Sequence, residues 1–135
     1  MVVTGLNHIT LATSDLARSV GFYRDLLGAT LRAHWAGGAY LELGDIWLCL
    51  MQTAGDIPVR TDYTHLAFSC EAAEFAALSD RIQTQAALWQ ENSSHGASLY
   101  FLDPDGHQLE LHLGDLETRL AHYRAHPEKG VTVIN

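Results

Sequence analysis

At 135 residues the chain has room for one domain, or for two very small modules sharing a core, and its 47% hydrophobic and 18% charged residues exclude disorder. Eight Lys and Arg against sixteen Asp and Glu give a net charge of -8, which argues against nucleic acid or an anionic membrane surface as partner. No apolar run reaches the length of a membrane span and the start, MVVTGLNHIT, lacks a basic segment followed by an apolar one, so a cytoplasmic protein is expected.

Leu6 to Leu11 alternates and is β-branched, which predicts a strand. After a turn at Thr13 and Ser14, Leu16, Val20, Tyr23 and Leu27 recur at helical spacing and Gly28 closes the helix. Ala29 to Ala33, Ala39 to Leu43 and Ile46 to Met51 read as three short strands separated by turns at Gly37-Gly38 and Gly44-Asp45. The first unit, about residues 1–51, is therefore βαβββ. Residues 52–62, QTAGDIPVRTD, are polar, broken by Gly55 and Pro58, and read as a linker.

The order then repeats over about residues 63–114. Thr64 to Ser69 is a strand; Phe75, Leu78 and Ile82 space a helix; Ala87 to Gln90, Ser98 to Leu102 and Gln108 to Leu113 are strands, the last two joined by the turn Asp103-Pro104-Asp105-Gly106. A final helix over about 115–125 has Leu116, Leu120 and Tyr123 on one face. The expected fold is α+β: two tandem βαβββ modules within one domain, 1–135, whose sheets pair into a curved mixed-sheet cup, within a chain or between chains. Cys49 and Cys70 lack Cys-x-x-Cys spacing and read as reduced and buried.

Strand alternation decides which side chains share a face. His8 and Thr10 oppose Ile9 and Leu11; His65, Ala67 and Ser69 oppose Leu66 and Phe68; Gln108, Glu110 and His112 oppose Leu109, Leu111 and Leu113. With the apolar sides turned to the helices, His8, His65 and Glu110 face the concave side. Two imidazoles and a carboxylate suit Mn(II), Fe(II) or Zn(II) and leave coordination positions open. One histidine on a strand is ordinarily a plain structural residue, and the weight here comes from its recurrence at equivalent places in two modules. His112 is a rival ligand or a partner to the ligands. Glu110 aligns with Cys49, which is either a fourth ligand or a small buried hydrophobe.

The strings NHITLA, FYRDLLG, GAYLELG, WLCL, DYTH and YFLDPDGHQLELHLGDL resemble the vicinal oxygen chelate superfamily of glyoxalases, bleomycin resistance proteins and dioxygenases. Within it they resemble the FosA-type fosfomycin-resistance thiol transferases over nearly the whole chain. The resemblance implies a Mn(II)-dependent enzyme that adds the thiol of glutathione to the epoxide of fosfomycin, a small phosphonate. It implies metal ligands at His8, His65 and Glu110, and a homodimer in which His8 of one chain completes the site of the other. It also assigns catalytic positions to Thr10 and Tyr40, and substrate contacts to Trp47, Gln90, Ser94, Ser98, Tyr100 and Arg119. A K+ loop is implied at Asn92, Ser94, Gly96 and Ser98.

The match breaks at three places. Gln90 stands where the family has a Lys that contacts the phosphonate, Ser93 where it has Arg, and Glu128 where it has Tyr. Losing a charge-assisted contact at Gln90 is expected to weaken binding by roughly 1 to 3 kcal/mol. Two other readings keep the fold: a different metalloenzyme, either a glyoxalase-like lyase or an extradiol dioxygenase, and a metal-free drug-binding module.

Overall fold

Alternation and turn chemistry are realised as two four-stranded sheets of identical design. The computed structural model describes residues 2–92 and 96–135. Strand β1 (His8–Thr13) leads through helix α1 (Leu16–Gly21) and a π-helical turn (Phe22–Leu26) to β2 (Thr30–Trp35), β3 (Gly38–Leu43) and β4 (Ile46–Gln52). The second module follows with β5 (Leu66–Ser69), a 3-10 turn (Ala72–Glu74), α2 (Phe75–Gln85), β6 (Leu88–Gln90), β7 (Ser98–Leu102) and β8 (Gln108–His112). Helix α3 (Leu116–Ala125) and a 3-10 turn (Pro127–Lys129) end the regular structure.

The sheets are ordered β1-β4-β3-β2 and β5-β8-β7-β6, and in each the first strand runs parallel to the last while the hairpins are antiparallel. Thr10 stands opposite Cys49 in one sheet as Ala67 stands opposite Glu110 in the other. Cys49 thus holds the place of Glu110 within the repeat, as the sequence alignment of the modules expects.

Several boundaries differ from the sequence reading, each for a local reason. The first helix was expected to run unbroken to Leu27, but it widens after Gly21 into the π-helical turn. That turn places Tyr23 and Leu26 together in the core at 0% and 2% exposure, and Gly28, at φ +82, ends it. Strand β5 begins at Leu66 rather than Thr64. The Asp62 carboxylate accepts the Thr64 N–H, and the Gln108 side-chain amide donates to the carbonyls of Asp62 and Thr64, so these backbone groups bond to side chains rather than to a ladder. Helix α3 starts as predicted, with Asp115 accepting the Thr118 N–H, yet none of its residues is buried.

Leu41, Leu48 and Leu50 from the first sheet meet Ile82, Phe101, Leu109 and Leu111 from the second module in one continuous core with Val20, Tyr23 and Leu26. The two sheets are not joined by strand pairing. Because their apolar faces share this core, their polar faces point away from it, and one chain presents two half-cups rather than a closed one.

A polar seam locks the modules together. The Asp105 carboxylate accepts from the Ser14 N–H at 3.0 Å, from the Ser14 and Ser19 hydroxyls and from Arg18 at 3.2 Å. Tyr23 donates its hydroxyl to Asp103 at 2.7 Å, and His107 Nε2 donates to the Ala12 carbonyl at 2.7 Å. Burial opposes ionisation of Asp105, but the donors from Ser14, Thr13 and Ser19 outweigh it and hold its carboxyl below the usual carboxylate range. Burial, then the charge of Asp103, pushes the Tyr23 phenol well up, so it remains a donor.

Replacing Asp105 by Ala orphans these donors and is expected to lower stability by about 2 kcal/mol at neutral pH in urea unfolding. Since the folded-state pKa is depressed, the contribution is complete above the ordinary carboxylate pKa of about 4 and fades as pH falls through the lower folded value. The gap between parent and variant should therefore close in acid.

Candidate metal centre

Parallel pairing of β5 with β8 and antiparallel pairing of β7 with β8 set Glu110 between Ala67 and Tyr100, with Gln90 one strand further. The small Ala67 side chain leaves space above the carboxylate. His65, one residue before β5, reaches the same point: its Nε2 lies 2.9 Å from Glu110 Oε1. The other ring nitrogen, Nδ1, lies 2.7 Å from the Tyr63 carbonyl. A carbonyl only accepts, so Nδ1 carries a proton, which leaves Nε2 to face the carboxylate oxygen. Two acceptors this close need a positive centre between or beside them, a proton or a metal cation.

The remaining oxygen of Glu110 is held from behind. Ser98 Oγ donates to Oε2 at 2.8 Å and lies 2.7 Å from His112 Nδ1, which is itself 3.2 Å from Oε2. The Glu110 side chain is only 9% exposed. Around His65 the rings of Tyr63, Trp89 and Tyr100 stand with centroids 4.9, 5.4 and 5.9 Å away. A register shift between Leu88 and Gln90 turns Trp89 into this wall, and its indole N–H donates to the Leu109 carbonyl. Gln90 donates to the Tyr63 hydroxyl at 3.2 Å.

The other half-site lies on the outer face of the first sheet. His8 Nδ1 is 2.7 Å from Asn7 Oδ1, again an acceptor, so His8 also offers Nε2 outward. Its ring stacks 4.6 Å from Trp47, which meets Tyr40 at 5.3 Å, and Tyr40 meets Trp35 at 4.9 Å. Thr10 is exposed beside His8 and opposite Cys49. Within one chain His8 does not join His65 and Glu110: among the described residues no three His, Cys, Asp or Glu side chains converge as a metal cage.

Arg119 lines a cavity of about 30 Å³ with Gly96, His112 and Thr118, next to the Glu110 cluster. Asn92 donates its side-chain amide to the Gly96 carbonyl at 2.8 Å, and Gly96 adopts φ +93. Ser94, assigned by resemblance to both the substrate and the K+ loop, lies outside the described residues, as does Ser93. Sequence reasoning passed over Tyr63 and Trp89 as site residues. Tyr63, two residues before His65, was open to the same alternation argument; Trp89 was not, because the bulge reverses its face.

The donor set, two imidazole Nε2 atoms on separate half-cups and one carboxylate oxygen, has the chemistry of a three-ligand divalent-cation site. Comparison with known proteins gives the family. A family profile described as Glyoxalase/Bleomycin resistance protein/Dioxygenase superfamily matches residues 5–111. The chain is 49% identical to glutathione transferase FosA from Serratia marcescens over 134 residues, covering 96% of this chain and 95% of that protein. It is 38% identical over 130 residues to metallothiol transferase FosB from Staphylococcus haemolyticus, covering 91% and 93% of the two chains. A variant of the fosfomycin resistance protein FosX from Listeria monocytogenes, solved with Mn(II) and 1S,2S-dihydroxypropylphosphonic acid, superposes with TM-score 0.81 at 31% identity over 90% of this chain and 99% of that one.

The acceptor pair predicts a trade between metal binding and stability. In Glu110→Gln the amide nitrogen can donate to His65 Nε2 while its oxygen keeps the Ser98 bond. The metal-free variant should be more stable than the metal-free parent by about 1 kcal/mol in urea unfolding. Added divalent cation should raise the parent's thermal midpoint and leave the variant's unchanged.

Proposed function

We propose, for a chain that belongs to the glyoxalase/bleomycin resistance protein/dioxygenase superfamily, the inactivation of fosfomycin by transfer of the glutathione thiol to its epoxide, aided by a divalent metal ion. The observation that carries this reading is the approach of His65 Nε2 to Glu110 Oε1 at 2.9 Å, which brings two donor groups of a divalent-cation site to one point. The similarity to a glutathione transferase at 49% identity supports the thiol, and the similarity to a fosfomycin resistance protein supports the substrate.

The metal is held by His65 and Glu110 of one chain and His8 of a second, and Mn(II) is the proposed ion. Homodimerisation is supported by the outer face of the first sheet, where Trp35, Tyr40, Trp47 and Met51 are 37% to 40% exposed and present adjoining apolar surface suited to an interface. A second copy laying its second sheet against this face brings the two half-cups together. No helix among the described residues is long and apolar enough to cross a membrane, and a cytoplasmic location suits an enzyme that draws on reduced glutathione.

In the reaction the thiol gives up its proton, a C–S bond forms at one epoxide carbon as its C–O bond breaks, and the released alkoxide takes up one proton, so that the hydroxyl of the product balances the proton lost by the thiol. A bound divalent cation supplies Lewis-acid stabilisation of the charge that develops on that oxygen. Thr10 and Tyr40 carry hydroxyls on the His8 face, placed to hydrogen-bond the thiol or the opening ring. Arg119 supplies positive charge for the phosphonate in a protein of net charge -8, and Gln90 and Tyr100 supply neutral donors. Trp47 forms the apolar wall and Ser94 a further hydroxyl. Ser98 commits its one proton to Glu110 and so acts on substrate through the carboxylate. Asn92, Ser94, Gly96 and Ser98 form the proposed K+ loop, in which carbonyl and hydroxyl oxygens are the ligands.

Metal-activated consumption of glutathione and fosfomycin tests the reading, and subunit mixing tests its geometry. His8→Ala and Glu110→Ala should each be inactive, but a mixed dimer carries one site with neither change, so refolding them together should restore up to about half of the parent activity per dimer. Mixtures that remain inactive while dimeric would exclude a shared site. A Gln90→Lys change should raise kcat/KM for fosfomycin roughly tenfold by returning a charge-assisted contact.

A further inference from the structure

We infer that His112, acting through Ser98, is a positioning residue that reserves a single oxygen of Glu110 for the cation. The inference rests on the metal reading given above and concerns how the carboxylate is presented.

Ser98 has one hydroxyl proton and two close partners, Glu110 Oε2 at 2.8 Å and His112 Nδ1 at 2.7 Å. A carboxylate oxygen can only accept, so the proton goes to Glu110 and Ser98 must accept from His112. The order of donation is therefore His112 Nδ1–H to Ser98, and Ser98 O–H to Oε2. His112 Nδ1 also approaches Oε2 directly at 3.2 Å. Oε2 is thus turned to two donors, and Oε1 alone faces His65 Nε2. Rotation of the carboxylate to offer both oxygens would break the Ser98 bond in a side chain only 9% exposed.

The fold makes this arrangement stiff. Ser98 and His112 are directly paired across β7 and β8, and Glu110 is the next residue on the same face of β8. The His112 ring is seated between two glycine backbones. A Cβ on Gly96 would come within 3.4 Å of His112 Cε1, and one on Gly114 within 3.5 Å of Nε2, where both glycines have positive φ. One-oxygen binding would leave free the coordination position that the second carboxylate oxygen would otherwise fill, and a substrate oxygen could take it.

The test reads Mn(II) affinity directly, from the free-ion electron paramagnetic resonance signal, together with the thermal midpoint of the protein in chelator. His112→Leu removes the donor and should weaken Mn(II) binding by roughly 10- to 100-fold. His112→Asn places an amide nitrogen near the Nδ1 position and should restore affinity to within about threefold, whereas His112→Gln, whose amide reaches the Nε2 position instead, should not. Parent-like affinity in a folded His112→Leu protein, or equal weakness in the Asn and Gln variants, would overturn the inference. A parent protein that binds no Mn(II) would instead overturn the metal reading itself.

Discussion

The chemistry of this protein depends on one enforced approach, that of an imidazole lone pair to a carboxylate oxygen. Left to themselves two acceptors would separate, and nothing local to His65 or Glu110 favours their meeting. What holds them is commitment elsewhere: the Tyr63 carbonyl takes the Nδ1 proton, and Ser98 and His112 take the far oxygen of the carboxylate. Both side chains therefore have their orientation settled by the protein itself, and little rearrangement would oppose the binding of a cation between them.

That arrangement also accounts for why the chain needs a second half. The two modules spend their apolar faces on each other, sealed by the Asp103, Asp105 and His107 seam, and this turns each polar face outward. His107 bonds the end of β1 and directly precedes β8, so the strand that bears His8 and the strand that bears Glu110 are fixed to one another through the back of the molecule while their ligands look apart. On the proposed reading such a unit would complete its site against a second copy, and the outer face of the first sheet carries aromatic rings suited to that contact.

How much of this could be read from the residues alone follows from the kind of force at each point. His8, Glu110 and His112 sit on regular strands, where a period of two decides the face, and their placement was legible. His65 lies just outside β5, so alternation gives its face, while the bonds of Asp62, Tyr63 and Gln108 in the preceding turn, which no periodicity encodes, fix the orientation of its ring. Trp89 enters the wall through a bulge that inverts alternation. The π-helical turn after Gly21 was invisible because Leu16, Val20, Tyr23 and Leu27 satisfy an ordinary helix equally well. The resemblance assigns Ser98 to substrate and to K+, and the distances add what no sequence pattern carries, that its proton goes to Glu110.

Charge gives the last constraint. A phosphonate site in an acidic protein would have to concentrate positive potential, and on the first sheet's outer face the guanidinium of Arg32 is already paired with Glu42. The burden falls on Arg119, which borders the cavity beside His112, because Gln90 has no charge and Glu128 pairs with His126 at 2.9 Å. Recognition of the anion is then weighted toward the cation and a single guanidinium, with neutral donors filling the remainder. Such a site discriminates by the geometry of its metal more than by its protein contacts. It should therefore tolerate changes in the carbon skeleton of the substrate better than any change that removes its paired oxygens.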